Sequence, residues 1–226
     1  MLNGKRLVLG DDSRFGHDPT GDSEFLRAFG LPVQILHTVT DHAHQDERVS
    51  STRIRECLQQ GDLATAKHLL GRDYAITGMV EHGDKIGHTL DFPTANIALN
   101  RIKPALHGIF AVSVTATDGT DLSTLGKNTQ TGVQGLTKGS LFGACNVGTR
   151  PALKDKNKYG VEWRLEVNFP KFDGDLYGKE LTVTFLHFLH GEINYPSLDA
   201  LKQGIAQDVV DLLDWREQQA FAKSCP

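Results

Sequence analysis

The clearest pattern in the chain is carried by the segment Glu162-Trp163-Arg164-Leu165-Glu166-Val167-Asn168-Phe169. Its odd-numbered positions are apolar, and its even-numbered positions are polar or charged. Successive side chains of a β-strand point to opposite faces, so this alternation is typical of an antiparallel strand with one face on a core. The segment therefore predicts a half-buried strand that carries Glu166 on its polar face.

The same period of two recurs on both sides of this segment, over residues 110–115 and 181–186. Weaker strand candidates cover Tyr74–Glu81 and Leu141–Val147, and clusters of Gly, Asp, Asn and Pro separate the strands. A helix follows the last strand: Ser197 can cap it, and helical spacing is kept by Leu198, Leu201, Ile205, Val209 and Leu212. These patterns predict a mainly β domain, a small antiparallel Greek-key-like barrel plugged or flanked by one C-terminal helix.

Residues 1–70 follow another pattern, in which short apolar runs alternate with helical segments. The strand-like runs are Leu7–Leu9 and Val33–Leu36, and the helix-like segments are Ser23–Phe29, Ser51–Gln59 and Asp62–Leu70. Strand-helix alternation indicates α/β structure, but a buried parallel strand needs neighbours on both sides. We therefore expect a partial α/β, Rossmann-like segment over 1–70, the barrel over 71–213, and a tail over 214–226.

Composition narrows the classes of function. The 226 residues carry a net charge of −4, which gives no global basic field for nucleic acid. No apolar stretch has the length of a membrane span, and residues 1–20 lack the apolar core of a signal peptide. The three cysteines are widely spaced and outline no disulfide framework. We expect a cytoplasmic protein without a nucleic-acid or membrane partner, and the sequence does not indicate its oligomeric state.

The densest group of candidate functional residues follows the first strand candidate of the barrel. Gly83 and Gly87 flank Lys85, and glycines let backbone N–H groups approach a phosphate closely. The Thr94 hydroxyl and the Asn96 carbonyl are hard oxygen ligands of the kind that Mg²⁺ prefers. A glycine hairpin followed by an ordinary Pro-Thr turn would explain the same residues, because such short motifs recur by chance.

Four stretches of the predicted barrel domain resemble sequences of the riboflavin kinase family, and they occur in the same order as in that family. The stretches are Gly78–Asn96 with its Pro93-Thr94-Ala95-Asn96 run, Asn146–Pro151, Glu166 with Asp173–Gly178, and Phe185–Asp208. The resemblance spans residues 71–213. It implies a kinase that uses ATP and Mg²⁺ to convert riboflavin to FMN, with release of ADP, in FMN and FAD biosynthesis.

The resemblance also implies a role for each matching residue. Thr94 and Asn96 would hold Mg²⁺ against the ATP phosphates, and Glu166 would be the general base that accepts the proton of the ribityl 5′-hydroxyl. The pattern alone is also typical of an ordinary solvent-exposed glutamate on a strand. The positions expected to contact nucleotide or flavin are Gly83, Lys85, Gly87, Pro93, Asn146 and Arg150.

Three positions depart from the residues that the family usually shows. His88 and His190 stand where arginine is usual, and Asp91 stands where glycine is usual. Histidine is only partly charged at neutral pH. The two missing guanidinium groups therefore predict weaker contacts to phosphate or flavin.

A second resemblance lies in the N-terminal segment. Val49–Arg55 resembles the Ile-Ser-Ser-Thr-x-x-Arg motif of nucleotidylyltransferases, in which Ser51, Thr52 and Arg55 would bind ATP phosphates. A Ser-capped basic helix would look the same. Gly10–Gly16 resembles the preceding strand end in the FMN adenylyltransferase module of bacterial bifunctional FAD synthetases. That module's His-x-Gly-His motif is absent here, so we expect a bifunctional synthetase that lacks roughly its first hundred residues.

Two other functions stay open on the sequence. The first is FMN adenylyltransferase activity, which belongs to the full-length parent and is not expected of these 226 residues. The second is a non-catalytic barrel that binds flavin or nucleic acid, although the sequence shows no basic, aromatic-studded face for nucleic acid. Flavin binding with and without Mg-ATP would separate a binder from a kinase.

Overall fold

The computed structural model describes residues 5–17, 21–41, 47–82, 94–99, 103–126, 137–151, 161–170 and 172–224. The chain divides into two compact units, Met1–Arg53 and Ile54–Pro226. The predicted boundary after residue 70 lies inside the second unit, because Leu58 and Ala66 are buried in the same core as the barrel strands. The functional domain limits given above stay a prediction.

The first unit consists of short elements. They are β1 (Leu7–Gly10), α1 (Ser23–Ala28), β2 (Val33–Leu36), β3 (Thr40–Asp41), β4 (Glu47–Arg48) and the start of α2 (Ser51–Gln59). Strands β1 and β2 pair in parallel, as the α/β pattern predicts, and Asp22 caps α1 by accepting a hydrogen bond of 2.9 Å from the Phe25 amide. The assignment of this segment to a Rossmann-like fold stays a prediction.

Two helices begin the second unit, the remainder of α2 and α3 (Leu63–Leu70). Asp62 caps α3 by accepting from the Thr65 amide at 3.0 Å. Gly71 follows the helix with φ 70°, a left-handed conformation that favours glycine. The helix therefore lies within the helix-like segment Asp62–Leu70 that the sequence predicts.

The rest of the second unit is a closed antiparallel barrel flanked by a helix, so the predicted fold class is confirmed. The strands are β5 (Ala75–Glu81), β6 (Thr94–Ile97), β7 (Gly108–Ala116), β8 (Leu141–Pro151), β9 (Val161–Asn168) and β10 (Glu180–His190). Their order around the barrel is β10-β5-β6-β9-β8-β7. Strand β6 pairs with β9 rather than with β7, so distant segments meet as in a Greek key.

The barrel interior is filled by the apolar side of each strand. Leu165 and Val167 of β9 are buried, as the alternation predicts, whereas Glu166 between them lies on the outer face. Cys145 of β8 has no exposed surface, and burial, followed by the charge of Glu166, raises the pKa of its thiol. Each large apolar side chain enclosed in this way contributes about 1.5–3 kcal/mol to folding.

A long helix, α4 (Leu198–Ser224), covers part of the outer face of the barrel. The Ser197 hydroxyl accepts from the Ala200 amide at 3.1 Å, which confirms the predicted cap. Leu212 is fully buried against the barrel, and Trp215 stacks on His187 with ring centroids 5.2 Å apart. The helix therefore flanks the barrel rather than plugging it, and it continues into the segment predicted as a tail. Among the helices of the described ranges, none is long and apolar enough for a membrane span.

Candidate active site

One row of cross-strand neighbours on the outer face collects the residues predicted to carry the chemistry. Glu166 of β9 pairs with Asn96 of β6 on one side and with Asn146 of β8 on the other. Thr94 shares the face of Asn96, two residues away, and pairs with Asn168. Directly opposed residues of antiparallel strands have their Cβ atoms about 4.5–5.5 Å apart. The hydroxyl, amide and carboxylate groups are therefore next to one another.

These side chains form one wall of a cavity of about 540 Å³. The opposite wall is apolar and comes from the first half of α4, where Leu201, Ile205 and Val209 line the cavity. A volume of this size, with an apolar wall and a few convergent polar groups, is typical of sites for small organic ligands. The arrangement can hold an aromatic ring against the helix and present a hydroxyl to Glu166.

Two polar residues of the same wall were not assigned from the sequence. Arg164 and Asn168 line the cavity beside Glu166. A guanidinium nitrogen of Arg164 lies 3.5 Å from a carboxylate oxygen of Glu166, and Asn168 is almost fully buried. The signal was present in the sequence, because both residues have the even-numbered parity of Glu166 in β9.

A second cavity of about 420 Å³ adjoins the first, and Thr94 lines both. Its other walls include Phe172 and Tyr177. The ring of His82 lies 4.0 Å from that of Tyr177, measured between centroids. His82 is the last described residue before positions 83–93, and Thr94 is the first described residue after them.

Several predicted binding residues are not brought to this site by the described structure. The positions Gly83, Lys85, Gly87 and Pro93, together with His88 and Asp91, lie outside the described residues. Arg150 belongs to β8, but its side chain is not among those described. Of the positions predicted to contact nucleotide or flavin, the cavity therefore contains Asn146.

The residues predicted to bind ATP phosphates in the N-terminal segment lie on α2. Ser51, Thr52 and Arg55 are exposed there. Arg53, rather than Arg55, is engaged by carboxylates: its guanidinium lies 3.2 Å from Asp41 and 3.3 Å from Glu47. A phosphate site at this helix stays a prediction.

His190 connects the barrel to the helix at the edge of the first cavity. Its Nε2 atom lies 2.7 Å from a carboxylate oxygen of Asp208 on α4, and its Nδ1 atom lies 2.7 Å from the Gly191 carbonyl. Burial lowers the pKa of His190, but the hydrogen bonds to Asp208 and Gly191 outweigh burial and raise the pKa above its ordinary value. These partners favour the imidazolium form of His190, and weaker contacts to phosphate or flavin than arginine would make stay a prediction.

The residues that follow His190 form the rim of the cavity, a segment over 191–197. Glu192 accepts a hydrogen bond of 3.3 Å from the Thr149 amide of β8. Tyr195 packs on α4 at Gly204, where an added Cβ would collide with the tyrosine ring. Burial, with the charge of Asp208, raises the pKa of Tyr195. The rim is thus attached to both the barrel and the helix.

Comparisons with known proteins point to one family. The Flavokinase model, described as riboflavin kinase, matches residues 70–215. A bifunctional riboflavin kinase/FMN adenylyltransferase from Haemophilus influenzae is 37% identical over 213 residues, covering 92% of this chain and 60% of that protein. The protein of the same name from Escherichia coli is 36% identical over 208 residues, covering 92% and 59%.

A solved structure also resembles the chain. The crystal structure of a macrolide-efflux protein from Streptococcus pneumoniae matches with a TM-score of 0.59 and 28% identity, covering 88% of this chain and 57% of that chain. The chain thus spans about three fifths of the length of the curated relatives it matches.

Proposed function

The chain belongs to the riboflavin kinase family, and from that premise we propose that it transfers the γ-phosphate of ATP to the 5′-hydroxyl of riboflavin. The products are FMN and ADP, and the reaction serves FMN and FAD biosynthesis. The observation that carries the proposal is the placement of Thr94, Asn96 and Glu166 side by side on one wall of the larger cavity.

Glu166 acts as the general base in this proposal. Phosphoryl transfer requires mainly positioning, charge neutralisation and a group that orients the attacking hydroxyl. The carboxylate projects from the rigid barrel wall into the cavity, and Arg164, 3.5 Å away, holds it on one side. A riboflavin ring placed against the α4 wall would direct its ribityl chain toward this carboxylate.

Thr94 and Asn96 would hold the divalent metal ion, which we propose is Mg²⁺. The residues fit this role, since a hydroxyl and an amide oxygen on one strand face leave the remaining ligand positions to phosphates and water. Within the described ranges, no group of three His, Cys, Asp or Glu side chains could hold a metal. When bound, the ion would neutralise charge on the transferring phosphate.

The two cavities suggest how the substrates divide. Riboflavin occupies the larger cavity, which contains Glu166, and ATP occupies the smaller one, with Thr94 at their junction. By the family resemblance, Gly83, Lys85, Gly87 and Pro93 would contact the nucleotide phosphates, although these positions lie outside the described residues. Asn146 and Arg150 would border the flavin.

Chromatography of the reaction products tests the proposal. The purified chain is incubated with riboflavin and ATP, with and without Mg²⁺. The buffer matches the cytoplasm, where we propose that the protein acts. We expect FMN and ADP in equal amounts, only when the metal is present, and no FAD when FMN is supplied instead. Riboflavin binding without FMN formation would support the non-catalytic barrel, and FAD would show that the chain retains the adenylyltransferase activity named for its longer relatives.

A further inference from the structure

We propose that His190 is a positioning residue: its imidazolium clasps Asp208, holds the first half of α4 over the larger cavity, and thereby makes riboflavin affinity depend on pH. The proposal rests on riboflavin as the ligand of that cavity. The His190–Asp208 pair, called the clasp below, joins β10 to α4.

The hydrogen bonds of the clasp need two protons on the ring. The two partners of the His190 ring at 2.7 Å are the Gly191 carbonyl and the Asp208 carboxylate. Both groups accept hydrogen bonds, so each needs an N–H from the ring. A neutral imidazole has one N–H and would leave one nitrogen lone pair facing an oxygen. The side chains of His190 and Asp208 are 27% and 13% exposed, so water replaces a lost contact only in part. Loss of the proton therefore breaks one of the two contacts.

The clasp lies where loosening it would open the cavity. Asp208 adjoins Val209 on α4, and Val209 lines the apolar wall. The second half of the helix is held independently, by Leu212 in a buried cluster and by Trp215 on the barrel. Because these anchors lie beyond the cavity, the half of α4 that contacts the ligand is held by the clasp, together with the packing of Tyr195 on Gly204.

The charges around the His190 ring favour its cationic form. Asp208 and Asp211 face the ring from α4. The rim segment contributes Glu192 and Tyr195. Strand β7, which pairs with β10, carries no charged residue. On β10 itself, burial lowers the pKa of His187, which disfavours the cationic form of that ring. The pKa of His190 is raised, so the charge-assisted clasp is fully present below the ordinary histidine value, and the charge that strengthens it is lost as pH rises through the raised one.

Two substitutions in the full chain separate the charge from the shape of this residue. His190→Arg supplies a permanent cation with several N–H donors, and His190→Gln supplies a neutral side chain. Riboflavin Kd is measured by quenching of flavin fluorescence, with KM and kcat for phosphorylation, from about pH 6 to about pH 9, the range in which histidines titrate.

We expect the Kd of the unaltered chain to rise by about tenfold across this range, in line with typical coupling between two sites. His190→Gln should have the weak Kd at every pH, and His190→Arg should keep the tight Kd at high pH. The arginine result is a gain, so a folding defect cannot produce it. The effect should fall on Kd and KM rather than on kcat, because His190 positions the helix and does not take part in the chemical step.

Hydrogen exchange without substrate gives a second readout. Amides of α4 between residues 198 and 211 should exchange faster at high pH, beyond the intrinsic pH effect, and His190→Arg should suppress the change. The inference is overturned if the Kd of the unaltered chain does not change with pH, or if His190→Gln binds riboflavin as tightly as the unaltered chain does at low pH. Either result leaves the proposed riboflavin kinase activity standing. Absence of riboflavin binding at every pH would overturn both, whatever the exchange shows.

Discussion

At the scale of single residues, the side chain of Glu166 takes no part in the packing of the barrel core. Its neighbours in sequence, Leu165 and Val167, are enclosed in the interior, while its own carboxylate faces the cavity with Asn96 and Asn146 on either side. A change confined to the carboxylate should therefore alter chemistry and leave the core intact.

Glu166→Gln should keep the thermal midpoint of unfolding and the affinity for riboflavin, because glutamine has the same shape and remains polar. A positioned base contributes about 10²–10⁴-fold to the rate, so kcat should fall by a factor in that range under saturating Mg-ATP. The measurements are turnover, flavin-fluorescence titration and a thermal melt of each protein.

Glu180→Gln is the matched control. Glu180 is an exposed glutamate of another barrel strand, β10, and its bond with the Thr117 hydroxyl can be kept by the oxygen of a glutamine. Its turnover should be that of the unaltered chain. If Glu166→Gln also keeps most of its turnover, the base must be another group of the cavity.

The sequence contained part of this residue-level picture. The parity of β9 predicted the face of Glu166, and Thr94 and Asn96 were assigned from their family resemblance. The role of His190 could not be predicted in the same way. Its ring is hydrogen-bonded to Asp208, a residue eighteen positions later. No local pattern in the sequence shows that the two residues meet.

At the scale of elements, β8 and β9 approach each other unusually closely at Gly143. A Cβ added there would lie 2.5 Å from the Asn168 carbonyl oxygen, which is a backbone atom and cannot swing away. Asn168 ends β9 and lines the cavity. The absence of a side chain at Gly143 therefore fixes both the strand pairing and part of the site.

Gly143→Ala should lower the free energy of unfolding by about 1–3 kcal/mol, the usual cost of an overpacked interior. Riboflavin affinity should fall with it, because the displaced strand carries Asn168. Urea unfolding at one pH measures the effect as a lower midpoint with an unchanged slope.

The control substitution is Gly191→Ala. An added Cβ there meets no atom within 4 Å, and the backbone is not in the left-handed region. Its unfolding midpoint should match that of the unaltered chain. Equal midpoints for both variants would mean that β8 and β9 separate without cost at Gly143.

Most of the longer elements were predicted from local chemistry, as the helix α3 shows, but the strand β6 was not. Strand β10 was not followed to its end. The alternation of Leu181, Val183 and Phe185 predicted a strand over 181–186, but register irregularities follow Phe185 and Phe188, and the strand continues to His190. A bulge changes which side chains face outward, so the sequence pattern alone could not direct His190 toward α4.

At the scale of the whole molecule, the described part of the proposed kinase site belongs to one compact unit. Residues from Thr94 to Val209 contribute to it, all within Ile54–Pro226. They meet because β9 pairs with both β6 and β8. This strand order is a long-range property of the fold, and alternation within each strand carries no information about it.

The buried thiol of Cys145 allows opening of the barrel to be timed by chemical labelling. A thiol reacts with alkylating reagents as the thiolate, and Cys145 has both no exposed surface and a raised pKa. Half-buried Cys57 should be alkylated first, and Cys145 only when the barrel unfolds around it. Peptide mass spectrometry distinguishes the two sites.

Because a ligand bound to the native state makes unfolding rarer, riboflavin should slow alkylation of Cys145 by the factor 1 + [L]/Kd. The rate at a single sulfur atom inside the barrel would then report occupancy of a cavity on its outer surface, without any turnover. Alkylation of Cys145 as fast as that of Cys57 in the native protein would contradict a closed interior.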